Sequence, residues 1–182
     1  MLPSSPQAVL LVDGYNVIGS WSSLEKTRDH HGLAAARQEL VETLINYSAF
    51  TDYKTDIVFD AQHQNRGSHS EALTKHLSVS YTDFGQTADS FIEKFCASFR
   101  FRQNHPRQRL IVVTSDRAQQ LTVVGYGAEW MSSQQFASDV EFMASRARRQ
   151  HRPKKQSRSR FLFNSLDEKS QQRLAQWRRD VR

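Results

Sequence analysis

The chain has 182 residues, with 25 Lys and Arg against 19 Asp and Glu, a net charge of +6 and one cysteine. That length suits one domain with a modest appendage and a real core. No apolar run approaches the ~20 residues a membrane helix needs, Cys96 alone excludes an internal disulfide or a multi-cysteine zinc site, and MLPSSPQAVLLVDG lacks the positive n-region of a signal peptide. A reducing cytoplasmic setting fits, with a plastid or other organelle left open.

In chain order, VLLV (9–12) reads as a strand ending at Asp13-Gly14-Tyr15-Asn16. Leu33, Ala36, Leu40, Leu44 and Tyr47 recur at helical spacing and predict a helix over 33–49. DIVF (56–59) is a second strand, and the polar stretch 61–76, with three histidines, reads as a long exposed loop. LSVSYT (77–82) is a third strand. Thr87 caps a helix running to about Phe101, with Phe91, Phe95 and Phe99 on one face and Cys96 as a buried thiol. After the break at Pro106, RLIVVTS (109–115) is the best strand in the chain. A short helix from Asp116 and the Gly125-Tyr126-Gly127 turn lead to AEWM (128–131), the last strand. Ser132 or Ser133 caps a closing helix that carries Phe136, Val140, Phe142 and Met143. The alternation predicts a three-layer α/β domain over 7–145, with a central, mainly parallel sheet of about five strands.

Charge is unevenly spread along the chain. Residues 1–145 carry 12 Lys and Arg against 16 Asp and Glu; residues 146–182 carry 13 against 3. The second segment opens with RARRQHRPKKQSRSR, which lacks apolar periodicity and reads as an arm, followed by a helix announced by the Ser165–Glu168 capping box. An acidic body with a basic appendage points to a polyanionic partner.

Four acids stand where a strand gives way to a loop or helix, or at a helix start: Asp13, Asp60, Asp89 and Asp116. In an open parallel sheet the carboxyl ends of the strands converge on one crevice. Carboxylates gathered there repel unless a cation neutralises them, and oxygen-only ligands favour Mg²⁺ or Mn²⁺. Asn16 offers a two-sided amide for a metal-bound water or a phosphate oxygen. The structural alternatives are a turn role for Asp13 and a cap role for Asn16. Asp116 is equally placed to cap a helix, a task Ser115 could take instead. Thr114 and Ser115 are candidate donors to phosphate, while Glu93 and Asp83 read as solvated acids.

DGYN after a buried strand, then TADSFIE, then VVTSD after a later strand, resemble the YacP-like branch of the NYN family, whose members resemble PIN-domain ribonucleases. The resemblance runs from about Val9 to Ser145, and FLFNSLDEKS resembles the family's C-terminal extension. It implies a divalent-metal-dependent endoribonuclease. Asp13, Asn16, Asp89 and Asp116 would be catalytic, with metal at Asp13, Asp89, Asp116 and Asp60 and RNA at Ser115. The arm would add Arg148, Arg149, Arg152, Lys154, Lys155, Arg158 and Arg160 as a phosphate footprint, on free RNA or on a ribonucleoprotein such as the ribosome. Phe161, Phe163 and Trp177 read first as packing groups and second as base-stacking ones.

No Gly-x-x-x-x-Gly-Lys-Ser/Thr phosphate loop, Gly-x-Gly-x-x-Gly turn or His-Glu-x-x-His pair competes. The seven histidines lack ligand spacing. The rival from another class is an RNA-binding adaptor whose site does not turn over, and a further one is a nuclease acting on structured DNA.

Overall fold

A computed structural model describes residues 7–60, 68–99 and 108–150. The strands are β1 (Ala8–Asp13), β2 (Tyr53–Phe59), β3 (His69–Ala72), β4 (Leu77–Tyr81), β5 (Arg109–Val113) and β6 (Glu129–Met131). The helices are α1 (Gly14–Ser20), α2 (Ser22–His31), α3 (Leu33–Thr51), α4 (Ala88–Phe99), α5 (Arg117–Gly125) and α6 (Ser133–Gln150). The sheet order is β3-β4-β2-β1-β5-β6, and every pairing is parallel except β3 with β4. Among the described residues no helix is long and apolar enough to cross a membrane.

Strand alternation sorts the core into two layers. Leu10, Val12, Ile57, Phe59, Ile111 and Val113 face α1, α2, α3 and α6; Leu11, Val58 and Val112 face α4 and α5. All six residues of β1 are buried, as the continuous apolar run requires of a central strand covered on both sides. Ala36, Leu40, Leu44 and Tyr47 form the buried stripe of α3, and Ile92 and Cys96 that of α4. Burial pushes the Cys96 thiol up to about 11, which makes it inert.

Four elements depart from the expectation. The polar stretch 61–76 contains β3, a sixth strand that holds the sheet edge by backbone pairing while all four of its residues stay exposed; residues 61–67 lie outside the described part. Two further helices, α1 and α2, precede α3. Of α2 only Leu24 is buried, so its sequence carries no apolar stripe. Helix α6 continues through 146–150, which read as the start of an arm. Arg, Ala and Gln are good helix formers, and the cations Arg148 and Arg149 suit a helix C-terminus. Contacts divide the chain after Ser145. Residues 151–182 lie outside the description, and with them Arg152, Lys154, Lys155, Arg158, Arg160, Phe161, Phe163, the Ser165–Glu168 box and Trp177.

Gly14 sets the packing just beyond Asp13. A Cβ there would fall 2.2 Å from Cε1 of Phe59. That ring is fully buried and held between Tyr15 and Tyr81, with centroids 5.1 and 5.7 Å away. Gly14→Ala should therefore cost about 1–3 kcal/mol of overpacking, a fall of roughly 3–10 °C in Tm for a chain of this size. A thermal melt checks it; a wild-type Tm would show that the ring has room to give.

Candidate active site

Parallel pairing brings the C-terminal ends of β4, β2, β1, β5 and β6 to one edge of the sheet. The chain leaves β1 towards the layer of α1 and leaves β5 towards that of α5, so a crevice opens between these neighbours. Asp13 stands on one side of it, and Thr114, Ser115 and Asp116 on the other.

Asp13 is only 8% exposed. Its Oδ1 accepts the Asn16 backbone N–H at 3.1 Å and so caps α1. Burial raises its carboxyl to about 6; the Asn16 N–H opposes the shift, and Asp89, Asp60 and Asp116 add to it. Asp89, in the first turn of α4, is also raised, by burial first and then by Asp116, Asp60 and Glu93, with the Gln119 hydrogen bond opposing. Asp60, Asp89 and Asp116 thus lie within electrostatic reach of Asp13, and Asp60 and Asp116 within reach of Asp89. Glu93 belongs to the same field rather than to bulk solvent alone.

Each acid already has a protein partner. Asp60 accepts the Ala88 backbone N–H at the start of α4. Asp89 Oδ1 accepts from Gln119 Nε2 at 2.6 Å. Asp116 caps α5, accepting from the N–H groups of Ala118 (2.7 Å) and Gln119 (3.1 Å), so the cap is Asp116 and not Ser115. Held in these directions, no three His, Cys, Asp or Glu among the described residues stand close enough to ligate one ion. Each of the four accepts its partner through Oδ1 alone, which leaves Oδ2 available to a cation without loss of that bond. The donor set itself is all oxygen and anionic, which fits Mg²⁺ or Mn²⁺.

Asn16 does more than its position suggests. Its Oδ1 accepts the Ser115 N–H at 2.8 Å and the Ser133 hydroxyl at 2.9 Å, tying the start of α1 to the end of β5 and the start of α6. Ser115 is further engaged, its hydroxyl accepting the Ser133 N–H at 3.2 Å. Thr114 is buried and accepts the Asp116 N–H at 3.0 Å, so it shapes the turn rather than facing a ligand. Ser132, accepting the Gln135 N–H at 3.1 Å, is the cap of α6. Asp83 is exposed and accepts the Ser68 N–H at 2.7 Å, a contact across the end of the β3–β4 pair.

Gln119 escaped the sequence reading. It is 3% exposed and links Asp89 through its side chain to Asp116 through its backbone, while its Oε1 is buried without a hydrogen-bond partner. The signal was present as Asp-x-x-Gln, a capping-box spacing at the start of α5.

The family model of the YacP-like NYN domain matches residues 10–179. The uncharacterized protein YacP of Bacillus subtilis (strain 168) is 31% identical over 144 residues, covering 79% of this chain and 81% of the relative. The crystal structure of Rae1 (YacP) from Bacillus subtilis matches with a TM-score of 0.65 at 30% identity, covering 94% of each chain. A single-site variant of it matches with a TM-score of 0.66 at 26% identity, covering 92% of this chain and 98% of that one.

Proposed function

We propose, for a chain that belongs to the YacP-like NYN domain family and carries its PIN-like nuclease fold, that it is a divalent-metal-dependent endoribonuclease. The observation that carries this reading is the mutual field of Asp13, Asp60, Asp89 and Asp116 at the carboxyl edge of a parallel sheet. Asp13, Asp89 and Asp116, with Asp60, would hold Mg²⁺ or Mn²⁺, which when bound supplies charge neutralisation at the phosphate and activation of water. The chain's own residues do the rest. Asn16 holds the two lips of the crevice at fixed separation, and its amide NH₂ has no hydrogen-bond partner among the described residues, leaving it to donate to a phosphate oxygen. The Asp60–Ala88 and Asp116–Ala118 bonds fix the helix starts that present Asp89 and Asp116. Arg148 and Arg149, exposed at the end of α6, begin the basic arm that would attract the RNA backbone without reading sequence.

A second reading, an RNA-binding adaptor, has one observation in its favour: the acids are turned to N–H partners and no three reach ligating distance. Matched RNA and DNA strands incubated with Mg²⁺, Mn²⁺ or EDTA separate the readings. The expected result is internal cleavage of RNA with either metal, none in EDTA, and little cleavage of DNA. RNA left intact in both metals would leave the adaptor, and DNA cut as fast as RNA would replace the substrate class.

A further inference from the structure

We propose that Arg37, held by Tyr15, is a subsite for an RNA phosphate flanking the bond to be cut; this rests on the reading that the crevice takes RNA. Helix α3 enters β2 almost directly, through Asp52, and β2 then runs back towards the aspartate edge. Arg37 stands 14 residues before the last residue of α3, roughly 21 Å up the helix. Asp60 stands seven residues after the start of β2, roughly 23 Å up the strand. The guanidinium is therefore level with the acids, on the face of the sheet that β1 leaves through α1.

Contacts agree with that placement. Arg37 Nη1 lies 3.5 Å from the Tyr15 hydroxyl. Tyr15 follows Asp13-Gly14 and packs on Phe59, the residue before Asp60. Its phenol lies in the fields of both Arg37 and Asp60. Phenol, guanidinium and carboxylate thus form one neighbourhood beside the crevice.

The charge of Arg37 has no counter-ion there. It is half-buried, yet the ion pairs among the described residues join Arg28 to Asp29, His76 to Asp52 and Arg109 to Glu129. The residue as a whole is partly covered, and its head group has no carboxylate of the described residues within ion-pair distance. Of its five N–H donors one has a single, long phenol partner, so a two-pronged edge remains for an anion, and phosphate matches that fork. A cation at this place also answers a problem the acids create, because they repel the strand they are to cut. The phosphate concerned is a neighbour of the scissile one, since the scissile group must meet the acid cluster itself. Phe59, packed between Tyr15 and Tyr81, keeps Tyr15 in place beside the guanidinium.

The test compares wild type, Arg37→Gln and Arg37→Lys. Binding of a labelled single-stranded RNA is followed by anisotropy across a salt series in EDTA, and kcat and KM are measured in Mn²⁺. For Arg37→Gln the expected results are about tenfold weaker binding, a log–log salt slope lower by about 0.7 for one lost phosphate contact on a single strand, KM raised about tenfold and kcat within about threefold. Arg37→Lys should recover the salt slope and only part of the affinity, since it keeps charge without the fork. Thermal melts of all three should coincide within about 2 °C. A wild-type slope and KM in Arg37→Gln overturns the proposal. So does a fall in kcat alone, which would make Arg37 a partner of Asp60 rather than of substrate. If wild type cuts no RNA but binds it with an Arg37-dependent slope, the subsite stands and the nuclease reading falls.

Discussion

Asp13→Asn should melt higher than wild type in EDTA and cut RNA about 10³-fold more slowly in Mn²⁺. The two effects share one cause. Asp13 titrates near 3.8 when unfolded and at about 6 in the folded protein, because it is buried beside three other acids. Below pH 3.8 it is protonated in both states and contributes nothing. Above pH 6 it is ionised in both, and the folded state alone carries the cost of the buried charge. A shift of about two units corresponds to at most ~3 kcal/mol, building up between pH 4 and 6. Asparagine is neutral and caps a helix as well as aspartate does, so α1 keeps its start. The stability gain of the variant should thus be greatest at pH 7, shrink as pH falls through 6, and vanish near pH 4. Denaturant melts at each pH measure it, and a pH-independent difference would remove the burial argument. Loss of activity follows from loss of a negative ligand: ~4 kcal/mol less charge stabilisation is about 10³-fold in rate. Cleavage at the wild-type rate would remove Asp13 from the chemistry. That a group destabilises its own fold where its chemistry needs it is a familiar stability–activity conflict.

Asn16→Ala should have the second largest effect, in the same direction on both measures. The amide oxygen joins two partners far away in sequence, Ser115 and Ser133. Ser115 is exposed and its N–H can turn to water, whereas Ser133 is fully buried and loses the acceptor of its hydroxyl. The expected cost is about 1–3 kcal/mol. Because the same bonds hold the β1 and β5 ends together, kcat should fall about 10²-fold, as an ångström of misplacement is enough to do. Asn16→Asp keeps the acceptor and should retain most of the stability at low pH, where the added acid is protonated. Wild-type melting and turnover in Asn16→Ala would show that the crevice needs no strut.

What could be read from residues alone follows from burial. The runs VLLV, DIVF and RLIVV are legible as strands because a parallel strand covered on both faces must be apolar throughout, and β1, β2 and β5 are such strands. The acids are legible because they interrupt those runs or open the helix after them. Helix α3 is legible by its stripe. Elements held by backbone bonds at the surface leave no such trace: β3 has four exposed residues and α2 buries one, so neither shows a period.

By itself, then, the sequence determined the α/β class, the central strands, the four acids and the family, since each is a local property of composition, order and spacing. Asp13 and Asp116 are held by local caps, whereas tertiary structure alone decided how Asp60 and Asp89 are held. Asp60 meets the start of α4, Asp89 meets Gln119, and Asn16 reaches Ser115 and Ser133 across the crevice. It also decided that Arg37, one arginine among many in the chain, would stand partly buried against Tyr15 without a carboxylate ion-pair partner among the described residues. Those partners lie 22 to 117 residues apart, and a contact across such separations is set by sheet order and helix placement, which no local pattern encodes.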